Sequence, residues 1–310
     1  AVNEENAENH VINTIYENGN KMLKKRAFRI FIYFAAVLLV IWSLAPIAWM
    51  VISSITPSNQ MVQSERFLPD NFTVDRYKMV LFGQQIEGVN RNAAAQSAVF
   101  RRALVNSVIL AVLTTVISIA MGASASYAFA RLRFRGSKMF QFTALFFQLL
   151  PPIALLIPYY VAVSKMGMLD HLSSLILVNV NFVLVYVIWV MSNFFRSIPR
   201  DLENAARIDG CSWLGAYVRI ALPNALPGFV AVGALSFLLC WDEFMYALVF
   251  TQSDSSKVIT VAVSEFGTKF GIDYGMMMTA GVVATVIPML FLLFFQRYII
   301  SGLTNGAVKE

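Results

Sequence analysis

The sequence predicts an all-α membrane protein with six transmembrane helices and both termini in the cytosol. Three observations carry this. Of 310 residues, 58% are hydrophobic and only 14% charged, against roughly 25% charged in soluble domains, so lipid is the main solvent. Six runs are long enough for a spanning helix, which needs about 20 mostly apolar residues: 28–53, 103–130, 139–163, 172–194, 224–251 and 276–300. The basic connections all fall on one side when these runs alternate across a bilayer, and basic loops stay cytosolic.

The connections are read in order. KMLKKRAFR precedes the first run, and RLRFRGSK joins the second to the third. Arg200, Arg207 and Arg219 lie between the fourth and fifth, and Arg297 and Lys309 close the chain. On the opposite side lie SKMGMLDH and the loop 253–275, where Asp254, Glu265 and Asp273 outnumber Lys257 and Lys269. The net charge of +6 is therefore a topological signal and not a nucleic-acid footprint. The expected organisation is a cytosolic tail 1–27, a transmembrane domain 28–300 and a cytosolic tail 301–310. Within the domain, 56–102 is an extracytoplasmic loop and 200–223 a cytosolic one. Residues 1–20 read either as an interfacial helix through Val11, Ile12, Ile15 and Tyr16 or as a frayed tail. The first apolar run is too long for a signal peptide.

Prolines punctuate the runs: Pro46 in the first, Pro151, Pro152 and Pro158 in the third, Pro288 in the sixth. Each removes a backbone donor and bends its helix. Bent helices around a transport cavity and bends that only aid packing are both compatible with this. Cys211 and Cys240 would stand roughly 40 Å apart along a helix rising about 1.5 Å per residue, too far for a disulfide. His10 and His171 form no metal-ligand spacing, and no metal site is expected.

The polar stretch DLENAARIDGCSWLGAYVRIALP, from Asp201 to Pro223, interrupts two apolar runs. It reads as a helix over 200–208 and a second over 212–219. Gly210 ends the first in the left-handed conformation, and Ser212 caps the second. Leu202, Ala205 and Ala206 make a small-residue face, and Trp213, Tyr217 and Ile220 an apolar one. A helix resting on lipid headgroups satisfies this spacing as well as a docking module does.

At these residues the chain resembles the permease subunits of ABC importers. Their cytosolic loop carries Glu-Ala-Ala, three residues, Gly, nine residues, Ile, one residue and Leu-Pro. Ala205, Ala206, Gly210, Ile220, Leu222 and Pro223 match in register, while Asn204 stands at the glutamate position and Glu203 precedes it. SYAFARLRFRG, LPPIALLIPYY, WDEF, FLPDNFTVDRY and GLTNGAVKE are similar to the carbohydrate-uptake, maltose-type branch. The resemblance implies the type I importer permease fold in a bacterial inner membrane. It implies a second homologous permease, two copies of an ABC ATPase, an extracytoplasmic solute-binding protein, surrounding membrane lipid and a sugar-type substrate. The loop bearing Glu203, Asn204, Ala205, Ala206, Asp209 and Gly210 becomes the helix that docks on the ATPase. No cofactor is expected in this chain, because ATP and Mg are held by the ATPase subunits.

Polar groups inside apolar runs suggest a substrate path, since they are costly in lipid and face cavities. The candidates are Gln148, Asn179, Asn181, Asp242 and Glu243, with Trp241 and Tyr246 as rings that could stack on a sugar. Asn and Gln also cross-link helices. Asn179 and Asn181 are about 200° apart on a helix, so both cannot face one cavity. A channel or secondary transporter built on Asp242 and Glu243 is the alternative, but it leaves the Gly210 module without a role. Neither H-E-x-x-H nor a phosphate loop occurs. The chain is expected to be a non-catalytic transport subunit.

Overall fold

The computed structural model describes residues 2–57, 60–61, 69–84, 91–132, 134–267 and 273–307, and side chains from residue 25 onward apart from 27, 91–93 and 300–307. Lys269 and Lys309 lie outside the described residues, and so do the side chains of Val11, Ile12, Ile15 and Tyr16. The chain divides into two units, 1–53 and 54–310.

The first unit is the body of one helix, α1 (Val2–Ile55), with Pro46 inside it. The expected boundary at residue 27 does not interrupt its backbone. Its part Phe28–Ile55 is apolar enough to cross a membrane.

In the second unit all regular structure among the described residues is helical: α2 (Asp75–Phe82), α3 (Arg91–Arg131), α4 (Ser137–Gln148), α5 (Pro152–Lys165), α6 (Leu172–Ser197), α7 (Arg200–Ile208), α8 (Trp213–Asn224), α9 (Leu226–Trp241), α10 (Met245–Phe250), α11 (Ile259–Ser264) and α12 (Tyr274–Ala307). Among the described residues four helices are long and apolar enough to span, or up to six if each bent pair counts as one. The pairs are α4 with α5, bent by 95°, and α8 with α9, bent by 67°. The third apolar run is thus two helices and not one. Pro151 at φ −57 and ψ 129 explains it, because a proline cannot donate to the preceding turn. The last helix continues to Ala307, so most of the expected tail 301–310 is helical.

α3 and α6 form the centre, with α9 and α12 packed on them. Small residues permit the close approach. A Cβ on Gly122 of α3 would stand 2.6 Å from Val187 Cγ1 of α6, and one on Gly228 of α9 would stand 2.7 Å from the Phe194 ring. Around these contacts Tyr127, Val187, Met191, Phe195, Phe229, Phe237, Trp241 and Ala280 make one buried cluster. Phe237 stacks on Phe291 with centroids 4.1 Å apart.

At the end of α6 opposite the Gly210 module, loops are clasped by hydrogen bonds. The Asp170 carboxylate accepts from the backbone N–H of Gln252 and Ser253, both at 2.8 Å, and from the Ser256 hydroxyl. Asp170 itself has φ 62. Asn106 of α3 donates to the carbonyls of Ser255 and Lys257. Lys257 pairs with both Asp254 and Glu265 at 2.8 Å.

Candidate functional site: the Gly210 module and the groove at Asp242

The polar stretch folds as two short helices around a tight turn. α7 covers Arg200–Ile208, as the sequence suggests. Gly210 has φ 91. The N–H of Cys211 donates to the Ala206 carbonyl and that of Gly210 to the Arg207 carbonyl. These two bonds form a Schellman stop, which needs the left-handed residue that glycine supplies most readily. Ser212 then caps α8, its hydroxyl accepting from the Gly215 N–H at 3.1 Å. Tyr217–Ala221 is wound as a π-helix. Trp213 does not pack on Tyr127 at the inner side of the module as Tyr217 does. Trp213 is exposed, and the Arg207 guanidinium lies over its ring at 4.0 Å.

Glu203 lies on the inner side of α7. Its carboxylate is not presented outward beside Asn204. It is 5% exposed and pairs with Arg131 Nε at 2.7 Å. The Tyr127 hydroxyl donates to its other oxygen at 2.8 Å. Arg131 also donates to the Ile198 carbonyl at 2.8 Å. Tyr127 in turn packs on Tyr217, centroids 4.7 Å apart. Both helices of the module are thereby fastened to the end of α3. Ala206 is buried on the same side, while Asn204, Ala205, Asp209 and Gly210 are exposed. With Leu202, Ile208, Trp213, Leu214 and Val218 they leave an apolar outer surface.

Sequence reasoning missed Tyr127 and Arg131. Their spacing of four residues at the end of an apolar helix puts both on one face, which was the available signal.

The membrane-embedded candidates are brought together only in part: Glu243, Tyr246 and Asn181 are linked through Tyr159. Asp242 and Glu243 lie in a break between α9 and α10 and not on helix faces. Both Glu243 oxygens accept from the start of α10, from the N–H of Tyr246 at 2.8 Å and of Ala247 at 2.9 Å. The Thr260 hydroxyl donates to its backbone carbonyl. Glu243 is therefore a helix cap. Asp242 is exposed and lines a groove of about 570 Å³ with Trp241, Tyr186, Leu235, Leu239 and Pro288. Trp241 is mostly buried against Phe237, offering the groove an edge.

Of the remaining four, Tyr246 and Asn181 both meet Tyr159, the Tyr246 ring at 5.9 Å between centroids and Asn181 by a hydrogen bond. Tyr246 is buried, and its hydroxyl donates to the Pro152 carbonyl at 3.0 Å. Asn181 donates to the Tyr159 hydroxyl at 2.6 Å and so joins α6 to α5. Asn179 is buried and donates back to the Leu175 carbonyl of its own helix. Gln148 is exposed at the end of α4, beside the break.

The described residues thus form a helical, largely apolar body that carries a two-helix module with an exposed outer face. Comparison with known proteins identifies the class. Residues 115–305 match the family described as binding-protein-dependent transport system inner membrane component. The trehalose transport system permease protein SugB of Mycobacterium tuberculosis is 33% identical over 88% of this chain and 94% of its own length. The trehalose/maltose transport system permease protein MalG of Thermococcus litoralis is 29% identical over 91% of this chain and 97% of its own. In fold, a subunit of a bacterial ABC transporter involved in import of the acidic polysaccharide alginate superposes with a TM-score of 0.69 at 23% identity, covering 88% of this chain and 98% of that one.

The chain belongs to this family of inner membrane transport components. It is a permease subunit of an ABC importer, in the maltose-type branch its motifs resemble. It is not the ATPase, which is a separate subunit.

Proposed function

We propose that this chain forms half of the translocation path for a sugar or sugar derivative in a bacterial inner membrane. Six spans with cytosolic termini fit its basic-loop asymmetry, the bent pair of α4 and α5 serving as one span. A second homologous permease, two ATPase copies and an extracytoplasmic binding protein complete the importer. Carbohydrate transport by the named relatives supports the substrate class.

The observation that carries the coupling reading is the fastening of α7 through the buried Glu203–Arg131 pair while its outer face stays open. A load applied at Asn204, Ala205, Asp209 and Gly210 passes into α3 and, through packed cores, to α6. An ATPase that closes on ATP would thus bias two arrangements of the spans, because its contact differs between them. Glu203 acts in this reading as a strut and Asn204 as the surface contact. In place of a charge-assisted bond, Asn204 offers a neutral one, roughly half as strong.

Asp242, at the lip of its groove, is the residue best placed to meet a sugar hydroxyl. Glu243, Tyr246 and Asn181, linked through Tyr159, brace the segment that follows Asp242. A channel built on two adjacent carboxylates fits less well, since Glu243 is occupied by the N–H groups of α10. The test is substrate-stimulated ATP hydrolysis by the reconstituted importer carrying Asn204→Arg. A bulky cation in the docking surface should abolish stimulation. Full stimulation would remove this surface from the coupling path.

A further inference from the structure

A second cavity lies where the end of α3, the start of α4 and the junction of α6 with α7 meet. It measures about 850 Å³. Lys138, Arg196 and Arg200 line it, and among the described residues no acidic one does. Arg131 also reaches it, but its charge is met by Glu203. The partners of Arg196 are neutral: Asn193 Oδ1, the Phe129 carbonyl and Gln141 Oε1. Among the described residues neither Lys138 nor Arg200 is paired with a carboxylate. Gln141 Nε2 is buried in the wall of the same cavity and has no partner among the described residues. α4 begins here on Gly136 with no side-chain cap, so its positive dipole end also faces this space.

An apolar crevice of about 160 Å³ adjoins it, sharing Phe129 and Gln141. Phe140, Leu145, Ile188 and Trp189 line the crevice between α4 and α6. Phe140 at the crevice and Phe146 further along α4 are exposed. A cationic bowl continuous with an apolar slot matches an amphiphile whose phosphate sits at one end of a hydrocarbon chain. A soluble anion would use only the bowl.

We propose that this pair of cavities binds an anionic phospholipid, its phosphate among Lys138, Arg196 and Arg200 and part of one acyl chain against Phe140 and Ile188. The orientation proposed above puts the bowl at the cytosolic leaflet, where anionic lipids attract basic groups. The inference rests on that orientation for its biological setting only. Binding measured in detergent is indifferent to it, so the two fail separately.

The experiment uses the intact importer complex in a non-ionic detergent, with labelled phosphatidylglycerol and phosphatidylcholine as probes. Phosphatidylglycerol should be retained preferentially. The double variant Lys138→Gln, Arg200→Gln should weaken it by about tenfold or more, with phosphatidylcholine unchanged. Ala144→Trp, which fills the crevice without touching the charges, should weaken it too. Equal retention of the two lipids would overturn the proposal, as would an unaffected double variant. Displacement of the label by inorganic phosphate with no effect of Ala144→Trp would also overturn it, assigning the bowl to a soluble anion.

Discussion

Glu203 and Arg131 are 72 residues apart in sequence and meet at 2.7 Å, with both side chains about 95% buried. A pair so removed from water is fragile to single changes. Leaving one charge buried alone costs about 3–5 kcal/mol, whereas replacing both with apolar groups of similar size is often neutral. Arg131→Met should therefore lower the thermal midpoint of the purified complex strongly. Arg131→Met with Glu203→Leu should recover most of it. Equal midpoints for wild type and the single variant would show that the pair contributes nothing to fastening α7.

The Asp170 clasp gives a pH dependence of defined sign. The Ser253 N–H first, then the Ser256 hydroxyl and the Gln252 N–H, hold its carboxyl well below the usual carboxylate range. A group with a depressed folded value contributes stability above its unfolded value of about 3.9. That contribution is lost as pH falls through the lower folded value. Asp170→Asn retains a residue type that tolerates the left-handed backbone at φ 62, as asparagine does. It should be less stable than wild type from about pH 5 upward. The gap should close on acidification below the unfolded value, as thermal unfolding across pH would reveal. A gap that widens in acid would reverse the assignment.

Asp242 and Glu243 should separate cleanly despite being neighbours. Hydrogen bonds to charged groups contribute about 1.5–3 kcal/mol. Asp242→Asn should thus reduce binding-protein-dependent uptake by about tenfold or more with the folded complex intact. Glu243→Ala removes the cap of α10 and should lower thermal stability instead. Uptake assays paired with melting curves distinguish the two. Wild-type uptake by Asp242→Asn would exclude it from the path.

Gly228 tests the packing. Its Cβ would enter the Phe194 ring, and overpacking of this kind costs about 1–3 kcal/mol. Gly228→Ala should destabilise the complex, and adding Phe194→Leu should relieve part of the loss. An undisturbed melting curve for Gly228→Ala would mean that α6 and α9 are less tightly apposed.

The sequence made the Gly210 turn legible because its determinants are local: a glycine stop, a serine cap and helix-forming residues on either side. Helix periodicity also placed Asn179 and Asn181 on different faces. The pairing of Glu203 was not legible because its partner lies 72 residues away, and no local pattern announces a buried ion pair. Asp242 and Glu243 were read as points on one helix because apolar length alone cannot reveal a break. The break becomes visible only in the Glu243 side chain turning to cap α10. Trp213 was grouped with Tyr217 on spacing alone, which cannot show that its ring meets the Arg207 guanidinium instead.

The central claim is that the module around Gly210 transmits the ATPase cycle to the spans. A Cβ on Gly210 meets nothing within 4 Å, so Gly210→Val strains only the turn, by about 1–2 kcal/mol. The decisive measurement is substrate transported per ATP hydrolysed by the reconstituted importer bearing this change, with subunit assembly checked alongside. The account predicts that this ratio collapses, through detachment of the ATPase or through hydrolysis without transport. An assembled importer with an unchanged ratio would contradict it.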